Sequence, residues 1–378
     1  MTVDIVELKR LNRIEDVVDE FEEFRLDRRG RGNQWRAADH DSFVVTVDKQ
    51  LYFWNSKGRG GDVISFLEQE QGMTFRGALE WMARRAGITL HMDETEARRL
   101  AAKRQRADVL TTVMEFLQGK LAASAAAMAY AEGRGWTRET VTAARCGFWD
   151  GDKRGLAKHL QMHEIDVGQD AVQAVMGMPA GLFVYGHWRG NTCEYVSGRS
   201  IEGKRHFNPR SKLMGERQPY WNHKVAYMDT HVVVVEGQAD ALTLAQWDIP
   251  AVALAGVSAN EELIGKLRKF MKVYVALDAD QAGRGNAADL AAKLGPLTRI
   301  VSWPERGELE QELEGEEERP IKDANDWLQA GGTAEACREL LGTADNYAIW
   351  LCRRVAAAAP MEREGAMDRA VAAVAQLP

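Results

Sequence analysis

HVVVVEGQADALTLAQ, residues 231–246, decides the fold of this 378-residue chain. Four consecutive valines read as a strand buried on both faces, the habit of parallel sheets. The turn at Glu236-Gly237 into an alanine- and leucine-rich helix leaves the Glu236 carboxylate at the carboxyl end of that strand. Open α/β sheets place their sites there. A second unit of the same design follows: Val273-Tyr-Val-Ala-Leu, then Asp278-Ala-Asp280, then an alanine-rich helix. Asp278 and Asp280 stand two residues apart on extended chain and so point to one side. If the two strands are neighbours, Glu236, Asp278 and Asp280 converge. Three carboxylates that close do not all stay ionised without a cation, and hard oxygen ligands at strand ends suit Mg²⁺ or Mn²⁺. Taken singly, Glu-Gly after a strand is a common turn and Asp-x-Asp a common surface pair; their conjunction with Lys322-Asp323-Ala-Asn-Asp-Trp-Leu328 carries the reading.

In order along the chain, VVVVEGQADAL, LAGVSA (residues 254–259), ALDADQAGRGNA and KDANDWL resemble the TOPRIM domain of DnaG-type and phage or plasmid primases. The match runs over residues 232–328, and the KDAN ending leans towards the phage/plasmid branch. The resemblance implies a DNA primase: a nucleotidyltransferase making short RNA primers from ribonucleoside triphosphates on a single-stranded DNA template. Two ions of Mg²⁺ or Mn²⁺ would be held by Glu236, Asp278 and Asp280, with Asp323 nearby and Asp240 supporting the site. Glu236 would ligate, move a proton, or both.

GRSIEGKRHFNP, residues 198–209, resembles the primase segment beside the TOPRIM unit. Between Arg189 and Lys224 eight Lys/Arg stand against three Glu, the reverse of a chain whose net charge is −7. Arg199, Lys204, Arg205, Asn208 and Lys212 are therefore expected to grip nucleotide phosphates or template. Lys322 either meets a phosphate or pairs with Asp323 or Asp326, and Arg134 either contacts nucleic acid or caps a helix.

The N-terminal region resembles the zinc-binding domain of these primases, without its metal. The family's Cys, His, Cys and Cys fall on Asn33, Arg36, Trp54 and Lys57, and arginine and protonated lysine have no lone pair for zinc. No zinc is expected; Trp35 and Trp54 would replace the metal staple by apolar burial. Arg28, Arg29, Arg31 and Arg36 either touch template phosphates or line a solvated loop.

The fold expected is a multidomain α/β protein: residues 1–90 a degenerate zinc-ribbon-like domain, 91–126 a helical connector, 127–228 the basic subdomain of the primase core, 229–332 the TOPRIM domain and 333–378 a helical segment. Residues 4–24 show one helical pattern. Eight glutamates between Glu305 and Glu318 read as a solvated loop. Four scattered cysteines without CxxC spacing, no signal peptide and no apolar run of transmembrane length predict a cytoplasmic protein with no membrane partner. No GxxxxGK[ST] occurs, so a helicase, if it takes part, is a separate partner. Two other readings use the same residues: a TOPRIM nuclease or topoisomerase-like enzyme, and a non-catalytic helicase-recruiting protein.

Overall fold

The computed structural model describes residues 5–27, 33–88, 94–189, 191–215, 221–222, 229–256, 259–304, 321–361 and 363–375. Its centre is a five-stranded sheet in the order Ala251–Ala253, His231–Val235, Lys272–Val275, Thr298–Ile300, Asp345–Asn346. The first four run parallel, and the register sets Val233 beside Tyr274 and Val234 beside Val252. The valine run is buried on both faces. Val232 and Val234 pack with Leu263, Leu267 and Phe270, while Val233 and Val235 pack with Trp221, Leu242 and Trp247. Each buried valine stabilises the sheet by about 1.5–3 kcal/mol, which fixes its depth in the molecule.

The segment after residue 333 does more than form helices. Between Ala334–Thr343 and Tyr347–Ala357, residues Asp345–Asn346 pair antiparallel with Thr298–Ile300 and close that edge. At the opposite edge Trp221 forms a bridge to Ala253, its amide donating to the Ala253 carbonyl at 2.8 Å. The Trp221 indole also donates to Gly186 O at 3.0 Å, tying a second sheet to the first.

That second sheet is antiparallel, in the order Gly147–Trp149, Leu182–Arg189, Thr192–Ser200, His206–Phe207. The helix Glu94–Ala123, expected as a connector, is part of its core. Val109, Leu110, Val113, Met114 and Leu117 are buried with Trp149, Val184 and Val196.

The N-terminal unit is a five-stranded antiparallel meander in sequence order, covered by Val63–Gln69 and Phe75–Arg85. Asp62 caps the first helix by accepting from Ile64 N and Ser65 N, and Thr74 caps the second through Gly77 N. The single helix expected over residues 4–24 is broken into Ile5–Leu11 and Ile14–Val18. Asn12 is the cause: fully buried, it donates from Nδ2 to Leu8 O and to Met82 O, and Arg13 after it is extended.

Trp54 is 4% exposed, set edge-on to Phe24 and Phe43 and beside His40. Lys57 lays its ammonium 3.3 Å from the centre of the Trp54 ring, so two of the four positions aligned with zinc ligands contact each other. Of the other two, Arg36 donates to Asp41 O and Asn33 accepts from Val47 N. Trp35 is half-buried at the edge of this core. Arg28, Arg29 and Arg31 lie outside the described residues, as does the acidic run 305–318. No helix among the described residues is long and apolar enough to cross a membrane.

Candidate active site

The carboxyl ends of the parallel strands open into a cleft of about 720 Å³. Glu236 ends the central strand. Asp278 sits three residues beyond Lys272–Val275, where the Ala276 amide still donates to Val234 O at 2.9 Å. Asp240 lies in the first turn of Gln238–Gln246 and is 5% exposed, its oxygens accepting from Gly237 N and Asn325 N at 3.2 Å each. Asp323 is the N-cap of Ala324–Gln329, accepting from Asp326 N at 2.7 Å.

One oxygen from each of Asp240, Asp278 and Asp323 lies within 4.8 Å of the other two. Of the metal ligands expected from the sequence, Glu236, Asp278, Asp280 and Asp323, this cluster contains Asp278 and Asp323; Asp240, expected to support the site, joins them, and Glu236 lines the same cleft. Asp280 is exposed and caps Gln281–Leu294 by accepting from Gly283 N at 2.8 Å, which turns its carboxylate towards the helix end. It remains close enough to Glu236 to raise that group's pKa.

Crowding of like charge in a half-buried site shows in the titration of the cluster. Burial first, then Glu236, Asp323 and Asp280, push Asp278 up to about 7. Burial, then Asp323 and Asp278, hold Asp240 well above the usual carboxylate range. Burial and then Asp280 raise Glu236. Such a set is short of positive charge, and its oxygen-only donors fit a hard divalent ion such as Mg²⁺ or Mn²⁺.

The opposite wall of the cleft is basic. Arg134, Arg199 and Lys204 line it with His206 and Asn208, while Lys322 lines the cleft from the acidic side, next to Asp323. Arg199 Nε and Tyr185 Oη are buried with no hydrogen-bond partner among the described residues, so two polar groups remain for a bound molecule. Burial, then Arg199 and Arg134, lower the pKa of His206. Arg205 is exposed and not among the cleft-lining residues, and the side chain of Lys212 lies outside the described residues.

The two walls are joined by polar contacts that single-chain periodicity does not reveal. Ser197 Oγ accepts from Gln238 Nε2 at 3.0 Å and pairs with His187 Nε2 at 3.0 Å. Arg134, the C-cap of Ala125–Gly133, also donates to Asn325 Oδ1 at 2.8 Å, and Asn325 Nδ2 returns to Arg134 O and Thr243 Oγ1. Gln238 and Ser197 went unnoticed in the sequence, and Asn325 stood out there only as the Asn of KDAN, without a role of its own. A backbone bond from Ala279 N to Lys322 O (2.8 Å) holds the two acidic loops together.

Comparison with known proteins matches residues 233–312 to the Toprim-like family model and residues 2–98 to the CHC2 zinc finger model. A DNA primase of Geobacillus stearothermophilus is 26% identical over 333 residues, 79% of this chain and 55% of that protein. The chain therefore spans about half the length of such relatives. The crystal structure of the Aquifex aeolicus primase (zinc-binding and RNA polymerase domains) superposes with a TM-score of 0.53 at 20% identity, covering 99% of this chain and 91% of that one. The fold is that of a DnaG-type primase. The RNA polymerase domain of Mycobacterium tuberculosis primase DnaG, in complex with a double-stranded DNA oligomer with a 6-nucleotide overhang, superposes with a TM-score of 0.56 at 20% identity. It covers 72% of this chain and 91% of the other. Glu236, Asp240 and Asp278 lie within the residues matched to the Toprim-like model and Asp323 beyond them, while Arg199 and His206 lie on the antiparallel sheet and Arg134 at the end of Ala125–Gly133.

Proposed function

We propose that this chain is a DNA primase that builds short RNA primers on single-stranded DNA. One observation carries the reading: Glu236, Asp240, Asp278 and Asp323 face Arg134, Arg199 and Lys204 across a single cleft. A nucleoside triphosphate fits between an acidic wall that needs cations and a basic wall that needs anions.

Asp278, Asp323 and Asp240, with Glu236 and Asp280 at the rim, would hold the divalent ions. Bound Mg²⁺ or Mn²⁺ supplies Lewis acidity at the attacking hydroxyl and at the phosphate oxygens. The chain's own residues do the remaining work. Arg199, Lys204 and Lys322 pair with triphosphate oxygens and hold the nucleotide in line with the primer 3′ end. Glu236, with its raised pKa, is placed to take the proton of the 3′-hydroxyl as the new phosphodiester bond forms and pyrophosphate leaves. Asn208, at the cleft, and the exposed Arg205 meet the template, a role that Lys212 shares on the sequence reading alone.

The N-terminal unit, in this reading, folds without zinc. Asn33, Arg36, Trp54 and Lys57 offer no zinc-ligating set, and Trp54 occupies the middle of the aromatic core instead. The match of residues 2–98 to a zinc-finger model then reflects a kept scaffold. The KDAN ending supports assignment to the phage/plasmid branch.

The test is a synthesis assay with labelled ribonucleotides, mixed single-stranded templates and Mg²⁺ or Mn²⁺. RNA products a few to tens of nucleotides long are expected. Cleavage of the template without added triphosphates, and no synthesis, would instead mark a Toprim nuclease.

A further inference from the structure

A second group of metal-ligand side chains lies away from the cleft. His159 lies within Lys153–Met162 and His163 closes that helix as its C-cap, four residues on. Residues four apart share one helix face, the spacing by which a helical His pair takes zinc. Their rings are 4.8 Å apart between centroids. Glu115 reaches the same place from Glu94–Ala123, and one ligand atom from each of the three lies within 4.8 Å of the others.

Two further observations point to an occupant. His159 Nε2 is buried and has no hydrogen-bond partner among the described residues, an unusual state for a ring nitrogen beside a carboxylate. The ring is wedged against Phe116 at 5.6 Å, which fixes its orientation. Lys120, farther along the long helix, is held by Asp150 and Asp152 at 2.8 Å each rather than by Glu115.

We propose that Glu115, His159 and His163 form a site for a transition-metal ion of the zinc type. Two imidazoles and one carboxylate are a donor set that suits Zn²⁺ and disfavours Mg²⁺, the reverse of the oxygen-only cleft. The role is structural. The ion ties Lys153–Met162 to the long helix that carries the antiparallel sheet, above the buried contacts of Leu156 and Leu160 with Val113 and Leu117. Zinc found in this protein would then sit here and not in the N-terminal unit.

The test uses the full chain, stripped with chelator and reloaded with Zn²⁺ or Co²⁺ in excess Mg²⁺, which keeps the carboxylate cleft occupied. About one equivalent should remain after gel filtration, with a Co²⁺ visible spectrum of nitrogen and oxygen ligands and a higher Tm in metal. The exposed His163→Gln change and the His159→Gln/His163→Gln pair should weaken binding about tenfold or more while circular dichroism is unchanged. Asp278→Asn should leave zinc content as it was. A parent chain that retains no zinc, or histidine variants that retain as much as the parent, would overturn the site.

Discussion

Asp278 and Asp280 stand two residues apart and do different things. Asp278 is pushed up to about 7 because burial and four carboxylates, Glu236, Asp323, Asp280 and Asp326, oppose its charge. In the unfolded chain it ionises at its ordinary 3.8. The unfolded state therefore binds fewer protons than the folded state between those values, and the metal-free protein loses stability as pH rises from about 4 to 7. Asp278→Asn should remove that penalty. At pH 8 in chelator the variant should be more stable to urea by about 1–2 kcal/mol, after allowing for solvent screening of a half-open site, and the gain should shrink towards pH 4. The same change should lower metal-dependent synthesis about 100-fold or more. A variant both less stable and still active would contradict both assignments. Asp280 separates differently. Asparagine caps a helix as well as aspartate, so Asp280→Asn should keep stability and reveal any loss of synthesis cleanly, whereas Asp280→Ala should also cost about 1 kcal/mol.

The short helix Ala324–Gln329 and the meander strand Leu51–Trp54 are held in contrasting ways. The helix is positioned by polar ties. Asn325, 1% exposed, joins Arg134, Thr243 and Asp240, and so fixes Asp323 at its N-cap. Asn325→Ala leaves those buried partners unpaired and should destabilise the chain by about 1–3 kcal/mol. Because the N-cap moves with it, more Mg²⁺ should be needed for half-maximal synthesis; a stability loss with an unchanged Mg²⁺ requirement would free Asp323 from this helix. The strand is positioned by volume. Trp54→Ala empties the centre of an aromatic cluster and should cost about 3–5 kcal/mol, read from proteolysis and near-ultraviolet dichroism of the N-terminal unit. The strand was readable from alternation and aromatic content, whereas the break at Asn12 was not, because its cause includes Met82, seventy residues away.

At the scale of the whole molecule, two of the three sheets border one cleft lined by charges of both signs. The net charge of −7 gives no hint of nucleic-acid binding; the cations matter because folding gathers Arg134, Arg199 and Lys204 along one side of the cleft. Titrations with single-stranded DNA at several salt concentrations should show affinity falling with salt, and removal of Arg205 or Lys212 should reduce the logarithmic slope by about 1 each. An unchanged slope in both variants would move the template elsewhere. The N-terminal unit is docked against the far end of the Toprim-like sheet. Lys49 donates to the Asp229 carbonyl and lies over the Phe270 ring, and Arg104 of the long helix pairs with Glu68.

The sequence by itself determined the parallel sheet, the strand-end positions of Glu236 and Asp278 and the basic segment at residues 198–209, because periodicity, β-branched runs and local charge are properties of neighbours in the chain. Only the tertiary structure decided which carboxylates meet. Asp240 and Asp323 come within reach of Asp278 through helix starts and one asparagine, while Asp280 turns to cap its own helix. The same holds for the pairing of Asp345–Asn346 with the sheet and the meeting of Glu115 with two histidines. Each depends on contacts across tens of residues, and such contacts are set by packing rather than by any local pattern.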